Sequence, residues 1–293
     1  MTHNNVNLQL RLALHSELDQ QQQLQAAAIY HHQRNWGCII PVEYHERGKK
    51  PYTIEERTEM IRKDANQRDQ IFPLGQLVLL GKEEECWKPL GSIHTVVSDK
   101  NRVQETFAQK DTWNVFTNYG QLAPETYIPT GNRWVCFAIQ TDPDIDRKRW
   151  RIKPADLILG GVKTLAFAQE LGIQKLSTEV ELSEEIKKGV GQHQTVMYIN
   201  PLTRLSGYGR FVEKFPEITG SDYARNIEQL VLRPEEKHND FDATLVEVAK
   251  HCSLRFHLSR GARIEQVIAD FRVHDWASRS YGASVLYSRQ EKN

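Results

Sequence analysis

Several features that would narrow the function at once are missing from this sequence. No apolar run approaches the length needed to cross a bilayer, and Lys plus Arg equal Asp plus Glu at 38 each. A chain without net charge has no long-range field that draws it to nucleic acid or to an anionic membrane. We therefore expect neither nucleic acid nor a membrane span among its partners.

Cysteine is also scarce. The four cysteines lie singly along the chain, without the close spacing of a zinc site or a disulfide framework. The first residues hold a glutamine tract and lack the charged and apolar segments of a secretory signal. These absences predict reduced thiols, no metal site and a cytoplasmic protein.

The patterns that are present predict a mixed α/β fold. Polar and apolar residues alternate over residues 7–14, which predicts a strand. Ser16 is in position to cap a helix that reaches residue 33, and Thr53 with Glu56 forms a capping-box pattern for a helix over 53–70. Residues 75–81 and 91–98 form two short apolar runs joined by a polar turn, which is typical of a hairpin.

The rest of the chain continues this α/β alternation. Residues 134–141 predict a buried strand, followed by a basic segment over 147–153 and a long apolar helix over 154–171. A helix over 221–232 precedes predicted strands over 254–258, 262–268 and 283–288. We expect one domain over 1–293, with an N-terminal elaboration over 1–72 and a core sheet over 73–293.

The order of these elements, and seven local segments, resemble the GNAT acyltransferase superfamily. The likeness is to a branch found in bacterial secondary-metabolite and peptide-modifying enzymes. It covers more than half of the chain. The segments are residues 112–120, 129–132, 135–139, 204–208, 256–264, 270–275 and 281–287.

This resemblance implies a site for an acyl thioester, either acyl-CoA or acyl-phosphopantetheine. In this fold the pantetheine amides pair with the end of the central strand as an added strand would. The phosphates lie on the loop before the central helix, where Arg151 and Lys153 supply positive charge. The strand end implied by the resemblance consists of Phe137, Ala138, Ile139, Gln140 and Thr141.

The phosphate loop departs from the superfamily's glycine-rich pattern. One register places residues 151–156 on that motif, where Pro154 lacks an N–H donor and Asp156 adds negative charge. The other register uses Gly160 and Gly161 and shortens the helix. If the first register holds, a carrier-protein arm with one phosphate suits the loop better than free CoA.

Acyl transfer to an amine needs a base, and protonation of the leaving thiolate needs an acid. His257 is the first candidate base, because the resemblance implies a histidine that acts with a hydroxyl, supplied by Thr203 or Ser206. Tyr281 is a candidate acid. The alternatives are that His257 and Tyr281 are packing residues, and that His94 faces either an acceptor or solvent.

Three functions are therefore open. The leading one is N-acyl transfer, including fatty acyl transfer, to an amine of a small metabolite or peptide side chain. The second is a carrier-protein-directed acyl-loading or decarboxylating activity. The third is a binding module that keeps the fold without turnover.

Overall fold

The computed structural model describes residues 9–31, 53–145, 152–168, 180–233, 240–273 and 275–289. Eight strands form a mixed sheet with helices around it. The strands are β1 Leu10–Leu14, β2 Gln76–Glu83, β3 Cys86–Ser98, β4 Arg133–Thr141, β5 Val180–Leu182, β6 Tyr198–Arg204, β7 Arg263–Ile268 and β8 Gly282–Ser288. The helices are α1 Gln20–His31, α2 Ile54–Ile71, α3 Lys100–Phe107, α4 Thr112–Thr117, α5 Pro154–Phe167, α6 Glu184–Gly189, α7 Tyr208–Lys214, α8 Gly220–Leu232, α9 Asp240–Val248 and α10 Ser253–Leu258.

The chain divides into two compact units. The first comprises Met1–Val97, Gln121–Pro129 and Ala138–Val196; the second comprises Ser98–Gly120, Thr130–Phe137 and Met197–Asn293. Strand order is β5-β1-β2-β3 in the first unit and β4-β6-β8-β7 in the second, and the last residues of β4 belong to the first unit. β1 with β5 and β4 with β6 are parallel pairs, whereas β1–β2, β2–β3, β6–β8 and β7–β8 are antiparallel.

Helices α1 and α5 cover opposite faces of the strands in the first unit. Ala26 of α1 clusters with Val78 and Leu80 of β2. Gly161 of α5 lies so close to Leu12 and Leu77 that an added Cβ would stand 3.0 Å from the Leu12 side chain. Because successive strand residues point to opposite faces, Leu77 and Val78 place the two helices on the two sides of the sheet.

A partly buried ion pair joins strands of the second unit. The guanidinium of Arg133 on β4 binds the Glu265 carboxylate of β7 through two contacts of 2.7 Å. Arg133 also donates to Asn200 of β6, whose amide donates to Ser284 of β8. Burial alone raises the pKa of Glu265, but hydrogen bonds from Arg133 and Ser284 lower it overall. These bonds compensate for the cost of burying the charges.

Most of the expected elements are confirmed where the structure describes them. β1 covers 10–14, α2 begins with the Thr53–Glu56 capping box, the hairpin is β2–β3, and α8, β7 and β8 lie where expected. Ser16 does not cap α1, since it lies in a 3-10 turn and Asp19 accepts the Gln22 N–H instead.

The expectation of a strand over 254–258 is wrong, because these residues form helix α10. Leu254 and Leu258 are both buried and lie four residues apart, which is helical spacing. A five-residue apolar alternation does not separate the two periods, so the short run was ambiguous.

Candidate functional site

His257 lies on α10, is 2% exposed and contacts one tyrosine through two hydrogen bonds. The Tyr287 hydroxyl of β8 donates to the His257 carbonyl at 3.2 Å, and the same oxygen lies 3.0 Å from His257 Nδ1. A phenol has one proton, so when that proton goes to the carbonyl, Nδ1–H must be the second donor. This pairing assigns the proton to Nδ1 and makes Nε2 the basic nitrogen.

Thr203 lies on β6 and is 4% exposed. Its hydroxyl forms a hydrogen bond with the hydroxyl of Ser253, the first residue of α10. Ser253 Oγ also lies 3.3 Å from the Arg204 carbonyl, to which it can donate. The Thr203 side chain is therefore joined to α10 by a pair of hydroxyls.

Helix α10 places these two contacts on one side. Ser253 and His257 are four residues apart, so their side chains lie one above the other on the same face of the helix. The structure thus brings the two leading candidates from the sequence, Thr203 and His257, to one face of α10. We name Thr203, Ser253, His257 and Tyr287 the hydroxyl–histidine cluster.

Ser206 and Tyr281 have structural contacts instead. The Ser206 carbonyl accepts a hydrogen bond from Tyr223 at 3.0 Å. The Tyr281 ring packs on Gly220, where an added Cβ would come within 2.4 Å of it, and edge-on against Tyr208. Their catalytic roles stay predictions, and these contacts favour packing for Tyr281.

The end of β4 carries the residues expected to meet pantetheine. The parallel ladder between β4 and β6 runs from Arg133 opposite Tyr198 to Cys136 opposite Pro201. The next carbonyl, that of Phe137, accepts the indole N–H of Trp113 at 2.8 Å. Phe137 is therefore a poorer candidate for pairing with pantetheine than the residues that follow it: Ala138, Ile139, Gln140 and Thr141.

The Gln140 side chain belongs to a buried amide–histidine network rather than to an open edge. Its amide nitrogen lies 3.0 Å from His94 Nε2 and also bonds Ser92. His94 Nδ1 lies 2.9 Å from Gln76 Oε1, and Gln76 Nε2 donates to two backbone carbonyls. Because Gln76 can only accept from His94, the proton is on Nδ1 and Nε2 accepts from Gln140.

This network places His94 in the interior, at 4% exposure, so the solvent-facing alternative is wrong. Burial, together with the charges of Arg68 and His15, lowers the pKa of His94 well below its usual value. The ring is therefore neutral at physiological pH.

The start of α5 decides between the two registers of the phosphate loop. Lys153 is exposed and precedes Pro154, the first helical residue, and Asp156 lies in the first turn. Gly160 and Gly161 lie inside the helix, so the register that places them on the loop is wrong. Arg151 lies outside the described residues, as does most of the basic segment.

Several residues that contact the candidate site residues or one another were not identified from the sequence. Arg272 is buried, and its guanidinium lies 4.2 Å from the centre of the Trp113 ring. Both fall within segments that carry the family resemblance, but their pairing joins residues far apart in sequence. Ser253 and Tyr287 were missed for the same reason.

The described residues contain no group of three His, Cys, Asp or Glu side chains arranged to hold a metal ion. Within the same part of the chain, no helix is both long and apolar enough to cross a bilayer. The first unit contains a cleft of about 430 Å³, lined in part by Ile29, Leu90, Asp142 and Asp144.

No known family model and no curated protein matches this sequence. Similar solved structures include the GphF GNAT-like decarboxylase in complex with isobutyryl-CoA, which is 17% identical, covers 96% of this chain and 100% of its own, and has a TM-score of 0.50. The protein has a GNAT-like fold.

Two further structures are similar to this GNAT-like protein at lower TM-scores. The loading GNATL domain of CurA from Lyngbya majuscula is 18% identical over 97% of this chain and 98% of that one, with a TM-score of 0.47. Malonyl-CoA decarboxylase from Rhodopseudomonas palustris is 12% identical over 96% of this chain and 56% of that one, with a TM-score of 0.41.

Proposed function

We propose that this protein acts on an acyl thioester held by a phosphopantetheine arm, either loading its acyl group or removing a carboxylate from it. The observation that carries the proposal is that Ser253, which bonds Thr203, and His257 lie on one face of α10. The GNAT-like fold supports it, since the similar GphF structure is described as a decarboxylase bound to isobutyryl-CoA. Activity here is argued from the residues, because fold alone does not fix function.

For a malonyl-type thioester, the bond between the α-carbon and the carboxylate breaks and CO₂ leaves. The electron pair moves into the thioester to give an enolate, whose oxygen accepts a hydrogen bond from the Thr203 hydroxyl. His257, after taking a proton from solvent at Nε2, gives that proton to the α-carbon. The reaction consumes one proton and leaves an acetyl-type thioester.

For acyl loading, the same nitrogen acts as a base. The incoming thiol gives its proton to His257 Nε2, and its sulfur attacks the thioester carbonyl. The bond to the donor sulfur then breaks, and the leaving thiolate takes the proton back from the imidazolium. The assigned tautomer supports this role, because Nδ1 already carries the ring proton.

The start of α5 supports a donor with a single phosphate. Pro154 provides no N–H at the first helical position, and Asp156 adds a carboxylate to the first turn. Both disfavour a pyrophosphate, whereas a carrier-protein arm requires neutralisation of only one phosphate. Lys153, an exposed cation directly before this helix, supplies a positive charge for that phosphate.

Transfer to an amine is the second candidate, and the cleft in the first unit favours it. Asp142 and Asp144 contribute carboxylates to the cleft, and Ile29 and Leu90 contribute apolar surface. An amine with an apolar body has matching chemistry. This reaction would use the same thioester donor and end in an amide.

The test is to incubate the protein with malonyl-CoA and, separately, with a malonyl-loaded carrier protein, and to follow products by mass spectrometry. We expect either an acetyl product or transfer of the acyl group, and in both cases a faster reaction with the loaded carrier protein than with malonyl-CoA. The His257→Gln variant should lose turnover. Amide formed with added amines would favour the second candidate. Calorimetric binding of isobutyryl-CoA without any turnover would contradict both and indicate a binding module.

A further inference from the structure

We propose that Ser253 is a positioning residue that directs the hydroxyl proton of Thr203 toward an oxygen of the bound thioester. This role rests on the proposed function, since it assigns a task to Ser253 within the same hydroxyl–histidine cluster. Ser253 stands between the Thr203 hydroxyl and the Arg204 carbonyl and contacts both.

The hydroxyl pair has two proton arrangements with the same heavy-atom positions. In one, Thr203 donates to Ser253 and Ser253 donates to the Arg204 carbonyl. In the other, Ser253 donates to Thr203, and the Thr203 proton points to a third acceptor. Hydroxyl protons rotate to suit their partners, so a ligand oxygen can select the second arrangement without moving the backbone.

The surrounding contacts hold Ser253 in place for this task. Cys252, the residue before Ser253, is buried, and burial raises the pKa of its thiol, while backbone hydrogen bonds partly oppose the rise. With Ser253 bonded to residues 203 and 204, the first residue of α10 is fixed to the end of β6.

The same helix turn carries the base. His257 follows Ser253 by four residues and lies on the same face, so α10 carries both the base and the residue that orients Thr203. A serine whose only task was to begin a helix would need neither the Thr203 bond nor this alignment. The geometry therefore assigns Ser253 to orientation of Thr203.

The experiment measures kcat and KM with the malonyl-loaded carrier protein for wild type, Ser253→Ala, Ser253→Thr, Thr203→Val and the Thr203→Val/Ser253→Ala double variant. Ser253→Ala should lower kcat about tenfold, equal to about 1.4 kcal/mol, and leave KM within about twofold. Ser253→Thr keeps the hydroxyl and should retain at least about half of kcat. In the Thr203→Val background, Ser253→Ala should have no further effect, because its hydroxyl acts through Thr203.

Each outcome decides the inference. Ser253→Ala with wild-type kcat, or an effect of the same size in the Thr203→Val background, overturns it. Failure of Ser253→Thr to retain activity also overturns it, provided that thermal unfolding shows this variant to be folded. Loss of turnover in Thr203→Val but not in Ser253→Ala leaves the proposed function intact and removes only the Ser253 role. An inactive wild type removes both.

Discussion

Two buried histidines, one in each unit, differ in the groups that hold them. His94 bonds two glutamine amides, Gln76 and Gln140. His257 bonds the Tyr287 hydroxyl and lies on the same helix face as the hydroxyl of Ser253. An amide donates from its nitrogen and accepts at its oxygen, and these two positions change places only if the whole group flips. A hydroxyl redirects its proton simply by rotating.

This difference separates a structural network from one suited to proton transfer. In the amide–histidine network, the position of the His94 ring proton follows from the carbonyls that Gln76 faces. In the hydroxyl–histidine cluster, the Thr203–Ser253 bond admits either donor. Burial of a histidine therefore says little about catalysis, and the chemistry of its partners says more.

The strongest test of this difference is to replace the histidine of each network by glutamine. His257→Gln should lower kcat with the thioester substrate by about 10²-fold or more, because the base is lost. The matched His94→Gln variant should leave kcat within about threefold and lower the free energy of unfolding by about 2 kcal/mol, since its amide partners lose a hydrogen bond. Equal loss of kcat in both would contradict the comparison.

Removal of the central amide should show what the first network does for stability. Gln76→Leu leaves the buried donors of His94 and Arg68, and the carbonyls that accept from Gln76, without this partner. We expect the free energy of unfolding in urea to fall by about 2–4 kcal/mol. Gln192→Leu, at an exposed glutamine, is the control and should change it by less than about 0.5 kcal/mol.

Sequence patterns located the hairpin, the central strand and several helices, because alternation and capping residues are local signals. They missed β6, because its Asn200-Pro201 pair is typical of a turn. In the structure Pro201 lies within β6, opposite Cys136 of β4. The family resemblance led to Thr203 and His257. Their partners, Ser253 and Tyr287, lie 50 and 30 positions away along the chain, a separation that only the folded structure resolves.

Removal of the Tyr287 hydroxyl should have a smaller effect, on kcat. Tyr287→Phe keeps the ring but removes the acceptor for His257 Nδ1–H, so the tautomer is no longer fixed. We expect kcat to fall about tenfold, with a changed pH–rate profile. Tyr208→Phe is the matched control, because its hydroxyl donates to the Ile218 carbonyl outside the cluster. Tyr208→Phe should lower the free energy of unfolding by about 1 kcal/mol and leave kcat unchanged. A comparable loss of kcat in the Tyr287→Phe and Tyr208→Phe variants would argue against control of the His257 tautomer by Tyr287.

The smallest expected effect is the dependence of stability on pH through His94. Its pKa in the folded protein is well below the unfolded value of 6.5, so below pH 6.5 the unfolded chain binds a proton that the folded chain does not. Stability from the neutral ring is full above pH 6.5 and falls as the pH decreases. Between pH 6.5 and 5.5 the loss should be about 1 kcal/mol.

His94→Gln isolates this contribution, because the nearby Arg68 and His15 remain in both proteins. We expect the wild type to be more stable at pH 6.5 and the gap between the two proteins to narrow by about 1 kcal/mol at pH 5.5. Urea unfolding at the two pH values measures the gap. A constant difference in stability between the two proteins would mean that His94 is protonated as readily in the folded protein as in the unfolded chain. The amide–histidine network would then lack the fixed proton position that distinguishes it from the hydroxyl–histidine cluster.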